Sequence, residues 1–505
     1  MKRYATLIVF MTLLATSQPA GADRTFRFIG GGNGHGVGMS QYGAYGLAQK
    51  GWGRKEIITW YYKGTSVGTE AAPKGKFRVG LLQRRGSFTL KARKAAFDLV
   101  VEGQGTVHTV PKGEARRIVI SGEKYKVYKD DKLKGTWGGP ADDLRAVYRD
   151  TGALVKVRQW GHGMRRGHLE WDIVSSTRAH LVAVIDPEEY LFGLGEVPSS
   201  WPAKVLQVQA DAARTYAYRV VDGGGRSGCA CDIYGDTRDQ NYVGWEKESS
   251  YLGERWVSAV EKTEEEVVTY SGGLAKTYYS SSSGGWIEAV GAVWGGSEPY
   301  LKATCDPGDY TSANPNRTWK KAQMGKEVAR KLRARYGWSI RRATGITITD
   351  RGKGGYVSKA RITGKRKGGG TGSWTASGEQ LRVGLGLKSA RFWVNRNRNV
   401  RGAIRTKYDA LRCSPGLPKS GRRKTSGGVW QRFRNGRIYS EDGVGTRYLH
   451  GLVLGKYLDK RGPAGRLGYP KTDVRKLSDG RLKTRFQGGR IICTPSSGRC
   501  KVAFT

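Results

Sequence analysis

The stretch Ile185-Asp-Pro-Glu-Glu-Tyr-Leu-Phe-Gly-Leu-Gly-Glu-Val-Pro-Ser-Ser-Trp-Pro202 joins two strongly patterned segments of the chain. The apolar run at 181–185 predicts a buried strand, and the segment from about Pro202 to Val221 predicts a helix. Glu196 lies in the loop between them, where a fixed carboxyl group can serve as a proton donor. The alternative is that Glu196 only caps the helix, because an acidic side chain near a helix N-terminus is stabilising.

The segments on either side of this junction predict an α+β fold. Residues 76–185 alternate apolar and polar side chains in short runs, which is typical of a β-rich layer. The helix at 202–221 carries small residues on one face, which suits close packing on a sheet. Two shorter helices are predicted at 41–50 and 55–62, and residues 350–380, rich in Gly, Lys and Ser, predict an exposed turn or hairpin. A β-rich domain with a few packed helices follows.

The last ninety or so residues contain an internal repeat. Phe433-Arg-Asn-Gly-Arg-Ile438 recurs as Phe486-Gln-Gly-Gly-Arg-Ile491, and Leu417-Pro-Lys419 is followed at almost the same spacing by Tyr469-Pro-Lys471. Two matches at one period indicate a repeated structural unit. A unit rich in Gly and aromatic residues predicts a small binding module.

The first 22 residues have the order of a secretory signal peptide. Lys2 and Arg3 precede an apolar run at 5–15, and the small residues at 20–22 follow it. The run is shorter than the about 20 apolar residues that span a membrane, and no later stretch is long or apolar enough. We therefore expect cleavage after Ala22, a secreted chain, and no membrane-spanning segment.

The formal net charge is +45, and Lys and Arg occur in every region. In an intracellular protein such a charge points first to nucleic acid. For a secreted chain we expect no nucleic-acid partner, and anionic cell-wall polymers or lipid heads become the polyanions within reach. A solvated basic surface without a particular partner is the alternative.

The six cysteines form an even set, which favours disulfides in an oxidising compartment. Cys493 and Cys500 flank a turn-rich segment and are predicted to clip a hairpin. Cys229, Cys231 and Cys305 form an alternative zinc set, although one residue between the first two is a poor fit to metal-ligand spacing. We therefore expect neither a metal nor a cofactor, and the remaining pairing is open.

Three motifs accompany Glu196. They are Gly34-His-Gly-Val-Gly-Met-Ser-Gln-Tyr-Gly-Ala44, Glu189-Tyr-Leu-Phe-Gly-Leu-Gly-Glu-Val-Pro198 with Gln209-Ala-Asp-Ala-Ala-Arg-Thr-Tyr-Ala217, and Ser281-Ser-Ser-Gly-Gly-Trp286 with Val293-Trp-Gly-Gly296. Together with 232–244 and 385–389, these motifs resemble the sporulation stage II protein D (SpoIID)/LytB family. The resemblance covers about residues 24–395 and implies a SpoIID-like catalytic domain.

The order of these segments differs from the family pattern. In the family, the segment that resembles 34–41 follows the one that resembles 385–389, whereas here it comes first. This order indicates a circular permutation, which folds tolerate when the original termini lie close together. We therefore expect residues 26–64 to pack against 380–395, and the loop 34–41 to form a wall of the cleft that holds Glu196.

The C-terminal repeats, with Gly465-Arg-Leu-Gly-Tyr-Pro470 and Phe486-Gln-Gly-Gly489, resemble LGFP repeats. That family occurs on exported proteins of actinobacteria and is thought to hold proteins to the cell wall. The predicted organisation is a signal peptide, a SpoIID-like domain, a linker and wall-binding repeats. Their bounds are 1–22, 23–395 (divided into 23–66, 67–180 and 181–395), 396–413 and 414–505.

The resemblance implies a lytic transglycosylase that acts on peptidoglycan glycan strands, with Glu196 as its catalytic group. Such a reaction needs one group that is first acid and then base, whereas ordinary glycoside hydrolysis uses two carboxylates. Glu189 is an alternative acid, and a hydrolase would need a second carboxylate such as Asp232, Asp236 or Asp239. The LytB name implies a second hypothesis, a non-catalytic enhancer with a cell-wall amidase as its partner.

Several residues of the motifs are candidates for substrate binding. His35, Ser40 and Gln41 lie on a loop whose glycines allow close approach to a ligand, although His35 is equally expected as a structural hydrogen-bonding group. Arg214 is a candidate partner for Glu196 or for the lactate carboxylate of the substrate, and a surface charge is its alternative. The remaining candidates could offer hydroxyl or amide donors to the cleft; they are Ser281, Ser283, Gly284 and Gly285.

Two effects oppose each other at Glu196. The nearby helix N-terminus lowers the pKa of its carboxyl group, whereas burial among neighbouring apolar side chains raises it. These neighbours are Tyr190, Leu191, Val197 and Trp201. If Glu196 is the acid, we expect burial to have the larger effect.

Overall fold

A computed structural model describes residues 23–140, 142–148, 152–396, 398, 400–411, 414–425 and 427–505. The predicted signal peptide and Cys413 lie outside the described residues. Within the described residues, no helix is both long enough and apolar enough to cross a membrane.

Helices are few and mostly short. In chain order, the α-helices of the described residues are α1 Gln41–Gln49, α2 Arg54–Tyr61, α3 Pro187–Phe192, α4 Ala203–Asp222, α5 Trp245–Glu248, α6 Gly253–Glu261, α7 Val290–Val293, α8 Gly325–Tyr336, α9 Gly378–Leu385, α10 Ala403–Ala410 and α11 Gly451–Asp459. A 3-10 turn at Gly462–Ala464 follows α11. The helices predicted at 41–50, 55–62 and 202–221 are confirmed to within one residue as α1, α2 and α4.

Two large sheets account for most of residues 76–185, as the alternating pattern predicts. The seven-stranded sheet has the order Ile233–Tyr234, Phe77–Arg85, Arg178–Ile185, His168–Ser175, Leu144–Tyr148, Phe97–Val101 and Gly105–Val110. The six-stranded sheet has the order Lys132–Trp137, Lys124–Lys129, Ala115–Ser121, Ser87–Ala92, Val155–Val157 and His162–Met164. All pairs are antiparallel except the one between Ile233–Tyr234 and Phe77–Arg85. The apolar faces of both sheets share one core, which α4 also enters.

The N-terminal strand Thr25–Gly30 lies between Trp319–Met324 and Phe392–Val394 and is antiparallel to both. Beyond the strand, the amide of Gly34 donates to the carbonyl of Lys388 at 2.8 Å. The expected packing of 26–64 against 380–395 is therefore confirmed as a contact. The circular permutation that motivated it stays a prediction.

Five smaller elements complete the first 400 residues. They are the N-terminal sheet just described, the sheet Gly273–Leu274, Glu266–Tyr270 and Ser66–Thr69, the parallel pair Tyr279–Ser280 and Met39–Ser40, the pair Trp286–Ile287 and Thr304–Cys305, and the sheet Ile340–Arg351, Val357–Arg366 and Thr371–Ala376.

The prediction for 350–380 was incomplete. Val357–Arg366 and Thr371–Ala376 pair as the predicted hairpin, with an exposed turn at 367–370. This hairpin also joins Ile340–Arg351 in a sheet that packs with α8 and α9 around a second core. Buried side chains such as Ala360 and Ile362 alternate with exposed ones along the central strand. The many Gly, Lys and Ser residues occupy its exposed face and turns, so the overall composition of the segment does not reveal the alternation.

Two repeats of similar design end the chain. Each has a helix, α10 or α11, followed by a four-stranded antiparallel sheet. The bridge between Pro418 and Phe433 in the first repeat recurs between Pro470 and Phe486 in the second. The sheets consist of Arg423–Thr425, Gly428–Arg432, Arg437–Glu441 and Gly445–Leu449, and of Arg475–Lys476, Leu482–Phe486, Gly489–Thr494 and Arg499–Phe504. The repeat read from the sequence is confirmed.

The predicted linker 396–413 differs from what the structure shows. Helix α10 forms within it, and Ile404 and Tyr408 of this helix are buried against Phe433 and Tyr448. Helix α10 therefore packs as part of the first repeat, because its apolar residues recur at helical spacing and complete that small core.

Cysteine pairing agrees with the oxidising compartment that the sequence predicts. Cys229 pairs with Cys231, and Cys493 pairs with Cys500 across the last hairpin. Cys305 is also disulfide-bonded. The cysteines of the alternative zinc set are thus oxidised, and the described residues contain no cluster of His, Cys, Asp or Glu that could hold a metal ion.

Candidate active site

The loop that carries Glu196 is fixed by a second loop, 240–243. The amide of Gly195 donates to the carbonyl of Asn241 at 2.8 Å, and the amide of Val243 donates to the carbonyl of Gly193 at 2.8 Å. A side chain at Gly193 would collide with the ring of Tyr242, so this close approach requires glycine. The two glycines that flank Leu194 therefore place Glu196 between α3 and α4.

Both carboxyl oxygens of Glu196 have hydrogen-bond donors. The amide of Asn241 donates to Oε1 at 2.7 Å, and Nε2 of Gln41 lies 3.5 Å from Oε2. The hydroxyl of Tyr279 also interacts with the carboxyl group and lowers its pKa, and this hydroxyl accepts from Nε2 of Gln240 at 2.8 Å. The carboxyl group is therefore held in one orientation while the residue keeps part of its surface exposed.

Burial raises the pKa of the Glu196 carboxyl, and the hydrogen bonds from Asn241, Gln41 and Tyr279 and the charge of Lys247 lower it by less. The pKa of Glu196 is therefore shifted upward, which is the direction expected for a proton donor. Lys247 lies close enough to interact with Glu196, and burial lowers the pKa of its amine to about 8. At neutral pH most Lys247 side chains carry a charge that favours an ionised Glu196.

The glycine-rich loop 34–41 reaches Glu196 through Gln41. Its Nε2 lies 3.3 Å from the main-chain oxygen of Glu196 and 3.2 Å from Oε1 of Gln209 on α4. Gly38 has a positive φ, and a side chain there would collide with the carbonyl of Tyr278. The loop 34–41 thus contacts Glu196 through its last residue, and its role as a wall of a substrate cleft stays a prediction.

Aromatic side chains form the adjacent surface. The rings of Tyr42 and Tyr45, both on α1, lie 5.0 and 5.1 Å from the ring of Trp201. The two tyrosines remain partly exposed. Rings of this kind offer apolar faces and hydroxyl groups to a ligand.

Ser40 and the serine loop 281–285 meet over two buried aspartates. Ser40 Oγ donates to Asp309 Oδ1 at 2.8 Å and accepts from the amide of Gly43 at 3.0 Å, which caps α1. Ser282 Oγ donates to Asp309 at 3.0 Å, and Ser283 Oγ donates to Asp306 at 2.7 Å. Burial and the charge of Asp309 raise the pKa of Asp306 to about 7. These serine hydroxyls therefore hold α1 in place.

The remaining candidates of the serine loop differ in their surroundings. Gly284 and Gly285 are buried and have positive φ, and the main-chain oxygen of Ser281 accepts from the amide of Tyr42 at 3.0 Å. Ser281 is partly exposed and lies beside α1, whereas Ser283 is fully buried. Of this set, Ser281 is the residue whose side chain has the most access to a ligand.

His35 uses both ring nitrogens within the protein. Nδ1 lies 3.1 Å from the donating amide of Val37, and Nε2 lies 2.9 Å from the carbonyl of Tyr279. This pairing requires the neutral tautomer with the proton on Nε2. Burial lowers the pKa of His35 to about 4. The geometry corresponds to the structural alternative weighed for this residue, and His35 supports the strand that carries Tyr279.

Arg214 does not pair with Glu196. Its guanidinium is fully buried and binds Glu188 through two hydrogen bonds of 2.6 and 2.7 Å. Further bonds reach the main-chain oxygens of Val260 and Glu266. The alternatives weighed from the sequence were a partner of Glu196, a partner of the lactate carboxylate of the substrate, and a surface charge. A fully buried guanidinium paired with Glu188 agrees with none of them, because Arg214 lies on the inner face of α4.

The alternative carboxylates each have a cationic partner of their own. Glu189 lies on α3, and its Oε1 is 3.1 Å from Nη1 of Arg166. The other three lie in the segment 232–239. There Asp232 pairs with Lys74, Asp236 with Arg238, and Asp239 with Arg226. Within the described residues, none of these four forms a hydrogen bond with Glu196.

Sequence reasoning singled out Gln41 and Glu196 but missed Asn241, Tyr279 and Lys247. Asn241 acts through its main-chain amide, which no side-chain pattern reveals. Gln240 and Asn241 stand in the segment 232–244, which was noted only as a landmark. Two adjacent amide residues between an acidic and an aromatic residue were the signal available there.

Comparison with known proteins supports the segments that the motifs singled out. The SpoIID family model, described as Stage II sporulation protein, matches residues 175–270, and the LGFP repeat model matches residues 416–465. The first match contains Glu196 and the loop 240–243, and the second spans the first C-terminal sheet and α11. The resemblance to both families is confirmed.

The chain is also similar to three characterised bacterial proteins. It is 36% identical over 114 residues to the amidase enhancer of Bacillus subtilis (strain 168), which covers 23% of this chain and 14% of that protein. It is 30% identical over 238 residues to stage II sporulation protein D of Bacillus subtilis (strain 168) and 28% identical over 238 residues to that of Bacillus amyloliquefaciens. The last two matches cover 44% of this chain and 64% of each relative. The chain thus matches less than two thirds of the length of these relatives.

Proposed function

We propose that the chain is a secreted lytic transglycosylase that cleaves the bond between N-acetylmuramic acid and N-acetylglucosamine in peptidoglycan. The observation that carries this proposal is the carboxyl group of Glu196, a residue that keeps part of its surface exposed, whose pKa is raised by burial and whose oxygens are oriented by Asn241 and Gln41. The SpoIID match around it supports a cell-wall role. The LGFP repeat and the charge of +45 support attachment to anionic wall polymers.

In the first step, protonated Glu196 gives its proton to the glycosidic oxygen as the bond from this oxygen to C1 of the muramyl sugar breaks. The departing N-acetylglucosamine takes the bonding electrons and the proton, and positive charge develops at C1. Glu196 becomes a carboxylate at this moment. The amide of Asn241, the hydroxyl of Tyr279 and the charge of Lys247 stabilise the negative charge that forms.

In the second step, the Glu196 carboxylate takes the proton of the C6 hydroxyl of the same muramyl sugar. The C6 oxygen forms a bond to C1, which closes a 1,6-anhydro ring and restores protonated Glu196. No water is consumed, and one carboxyl group performs both proton transfers. This sequence fits a site in which the other candidate carboxylates are engaged by Lys74, Arg226 and Arg238.

Digestion of purified glycan strands in water enriched with heavy oxygen tests the reaction directly. Mass spectrometry should show anhydromuramic ends that carry no label, because the C6 oxygen of the sugar replaces water. Denuded strands and strands with stem peptides should both be offered, since the stem peptides decide access rather than chemistry. Labelled reducing ends would identify a hydrolase and overturn the proposal.

The pH dependence of kcat/KM should follow the protonation of Glu196. Because its folded pKa lies above the usual 4.5, activity should persist above that pH and fall as pH rises through the folded pKa. The substitution Tyr279→Phe removes a hydrogen bond to the carboxylate and should move this fall upward by about one pH unit or less. A matched control is Tyr125→Phe in the six-stranded sheet, whose hydroxyl donates to Trp171 and not to Glu196. A fall near pH 4.5, or one that Tyr279→Phe does not move, would contradict this role for the carboxyl group.

The similarity to an amidase enhancer supports a second candidate function, the stimulation of an N-acetylmuramoyl-L-alanine amidase without catalysis. The two proposals separate in the variant Glu196→Gln. Under the second, the variant would stimulate a purified wall amidase as well as the native chain does, and neither protein would produce anhydromuramic ends.

A further inference from the structure

A cavity of about 650 Å³ lies where three parts of the chain meet, away from Glu196 and its hydrogen-bond partners. One wall comes from the strands Thr25–Gly30 and Ile340–Arg351. The segment that begins at Trp393 forms a second wall, and residues 417–419 with Arg434 of the first C-terminal repeat form the third. The cavity therefore bridges the SpoIID-like part and the repeats.

Cationic side chains dominate the described wall of this cavity. They are Arg24, Arg351, Arg396, Arg398, Lys419 and Arg434, and the lining includes one carboxylate, that of Asp350. Within the described residues, none of the six cations forms an ion pair. Arginines at other enclosed positions do have carboxylate partners, as Arg166 has Glu248 and Arg214 has Glu188.

Two arginines beside the cavity form no salt bridge within the described residues, although the buried carboxylate of Glu288 interacts electrostatically with Arg391. Nη1 and Nη2 of Arg351 donate to the carbonyls of Gly355 and Phe392 at 2.8 and 2.7 Å. The guanidinium carbons of Arg351 and of Arg391 lie 5.3 and 5.5 Å from the ring of Trp393. Nε of Arg391 is buried without a hydrogen-bond partner. Aromatic and carbonyl contacts thus fix two cations side by side.

The electrostatic consequence is mutual repulsion in a partly desolvated site. Burial, Arg391 and Arg398 lower the pKa of Arg351 to about 10, so the guanidinium is still charged at neutral pH. Like charges that are kept together in this way raise the free energy of the empty cavity. An anion with oxygens spaced for guanidinium groups would relieve this repulsion and gain bidentate hydrogen bonds.

We infer that this cavity binds an oxyanion-bearing segment of a cell-wall polymer, with Arg396 on one side and Lys419 and Arg434 on the other. The phosphate of a phosphodiester chain and the carboxylate of a muramyl peptide share the required chemistry. The choice of a wall polymer rests on the proposed function, whereas the anion site rests on the cavity alone. A polymer held here would contact the SpoIID-like part and the first repeat at the same time.

Titration calorimetry at physiological salt tests the site in the full mature chain. The titrations use the variant Glu196→Gln, so that cleavage plays no part. Tripolyphosphate is the small probe, and poly(glycerol phosphate) and soluble muramyl-peptide glycan are the two polymers. The test variant adds Arg396→Gln and Arg434→Gln, both at exposed positions. The control adds Arg335→Gln and Arg341→Gln, two exposed arginines elsewhere on α8 and its neighbouring strand.

We expect saturable binding of tripolyphosphate that the test variant weakens by about tenfold or more and the control by less than about twofold. Preference for poly(glycerol phosphate) would assign the site to phosphodiesters, and preference for muramyl-peptide glycan would assign it to carboxylates. Equal weakening by both variants would reduce the effect to general basic charge and overturn the inference. If tripolyphosphate binds but neither polymer does, the assignment of the site to a cell-wall polymer is overturned. These titrations do not depend on transglycosylase activity. The proposed anion site and the proposed reaction can therefore each be disproved without affecting the other.

Discussion

The substitution Glu196→Gln lowers kcat/KM on purified glycan strands by about 10²- to 10⁴-fold, the range expected when a general acid is removed. Glutamine keeps the shape of the side chain, and its Oε1 can still accept from the amide of Asn241. It cannot give a proton to the leaving oxygen or take one from the C6 hydroxyl. The loss therefore falls on both steps of the reaction and should appear mainly in kcat.

The matched control for this substitution is Glu189→Gln, seven residues away along the same segment. Glu189 pairs with Arg166 at the surface and makes no hydrogen bond with Glu196. This control should keep activity within about twofold, because a surface ion pair contributes little. For both variants, activity is measured as the release of anhydromuramic ends by mass spectrometry. Full activity of Glu196→Gln, or an equal loss in the control, would remove Glu196 from the catalytic role.

Local patterns were sufficient for the fold wherever one side-chain period dominated. The alternation in 76–185 gave the large sheets, and the small residues along 202–221 gave the face of α4 that packs in the core. The same reasoning gave the hairpin within 350–380 but not the sheet and core that it joins, and it took 396–413 for a linker although α10 forms there. There the apolar positions are few, and what buries them is a partner far along the chain or a neighbouring repeat, which local composition does not reveal.

The candidate site was predictable where a side chain carries the chemistry. Glu196 and Gln41 were found because motifs contain them, and the structure brings them together although they are distant in sequence. Asn241 was missed because its contribution is a main-chain amide. His35 was ambiguous because a neutral imidazole can serve a ligand or the backbone, and only the geometry around both ring nitrogens decides between them.

Arg214 shows the opposite difficulty, since the residue type suggested substrate binding and the structure gives a buried ion pair with Glu188. The substitution Arg214→Met is therefore expected to lower the free energy of unfolding by about 3–5 kcal/mol, the usual cost of removing one partner of a buried pair. Methionine fills much of the space, so the loss comes from Glu188, whose remaining side-chain donor among the described residues is the hydroxyl of Tyr218 at 3.1 Å. The main-chain oxygens of Val260 and Glu266 also lose a donor.

Urea unfolding followed by tryptophan fluorescence measures this effect, with Arg219→Met on the same helix as the control. Arg219 is partly exposed and lies 3.6 Å from Asp222, so its loss should cost about 1 kcal/mol or less. The double variant Glu188→Gln, Arg214→Met should regain part of the stability, because it no longer buries an unpaired charge. KM of folded Arg214→Met should match that of the native chain. A raised KM with unchanged stability would instead return Arg214 to the substrate, since a residue that acts only through the fold changes unfolding before it changes binding.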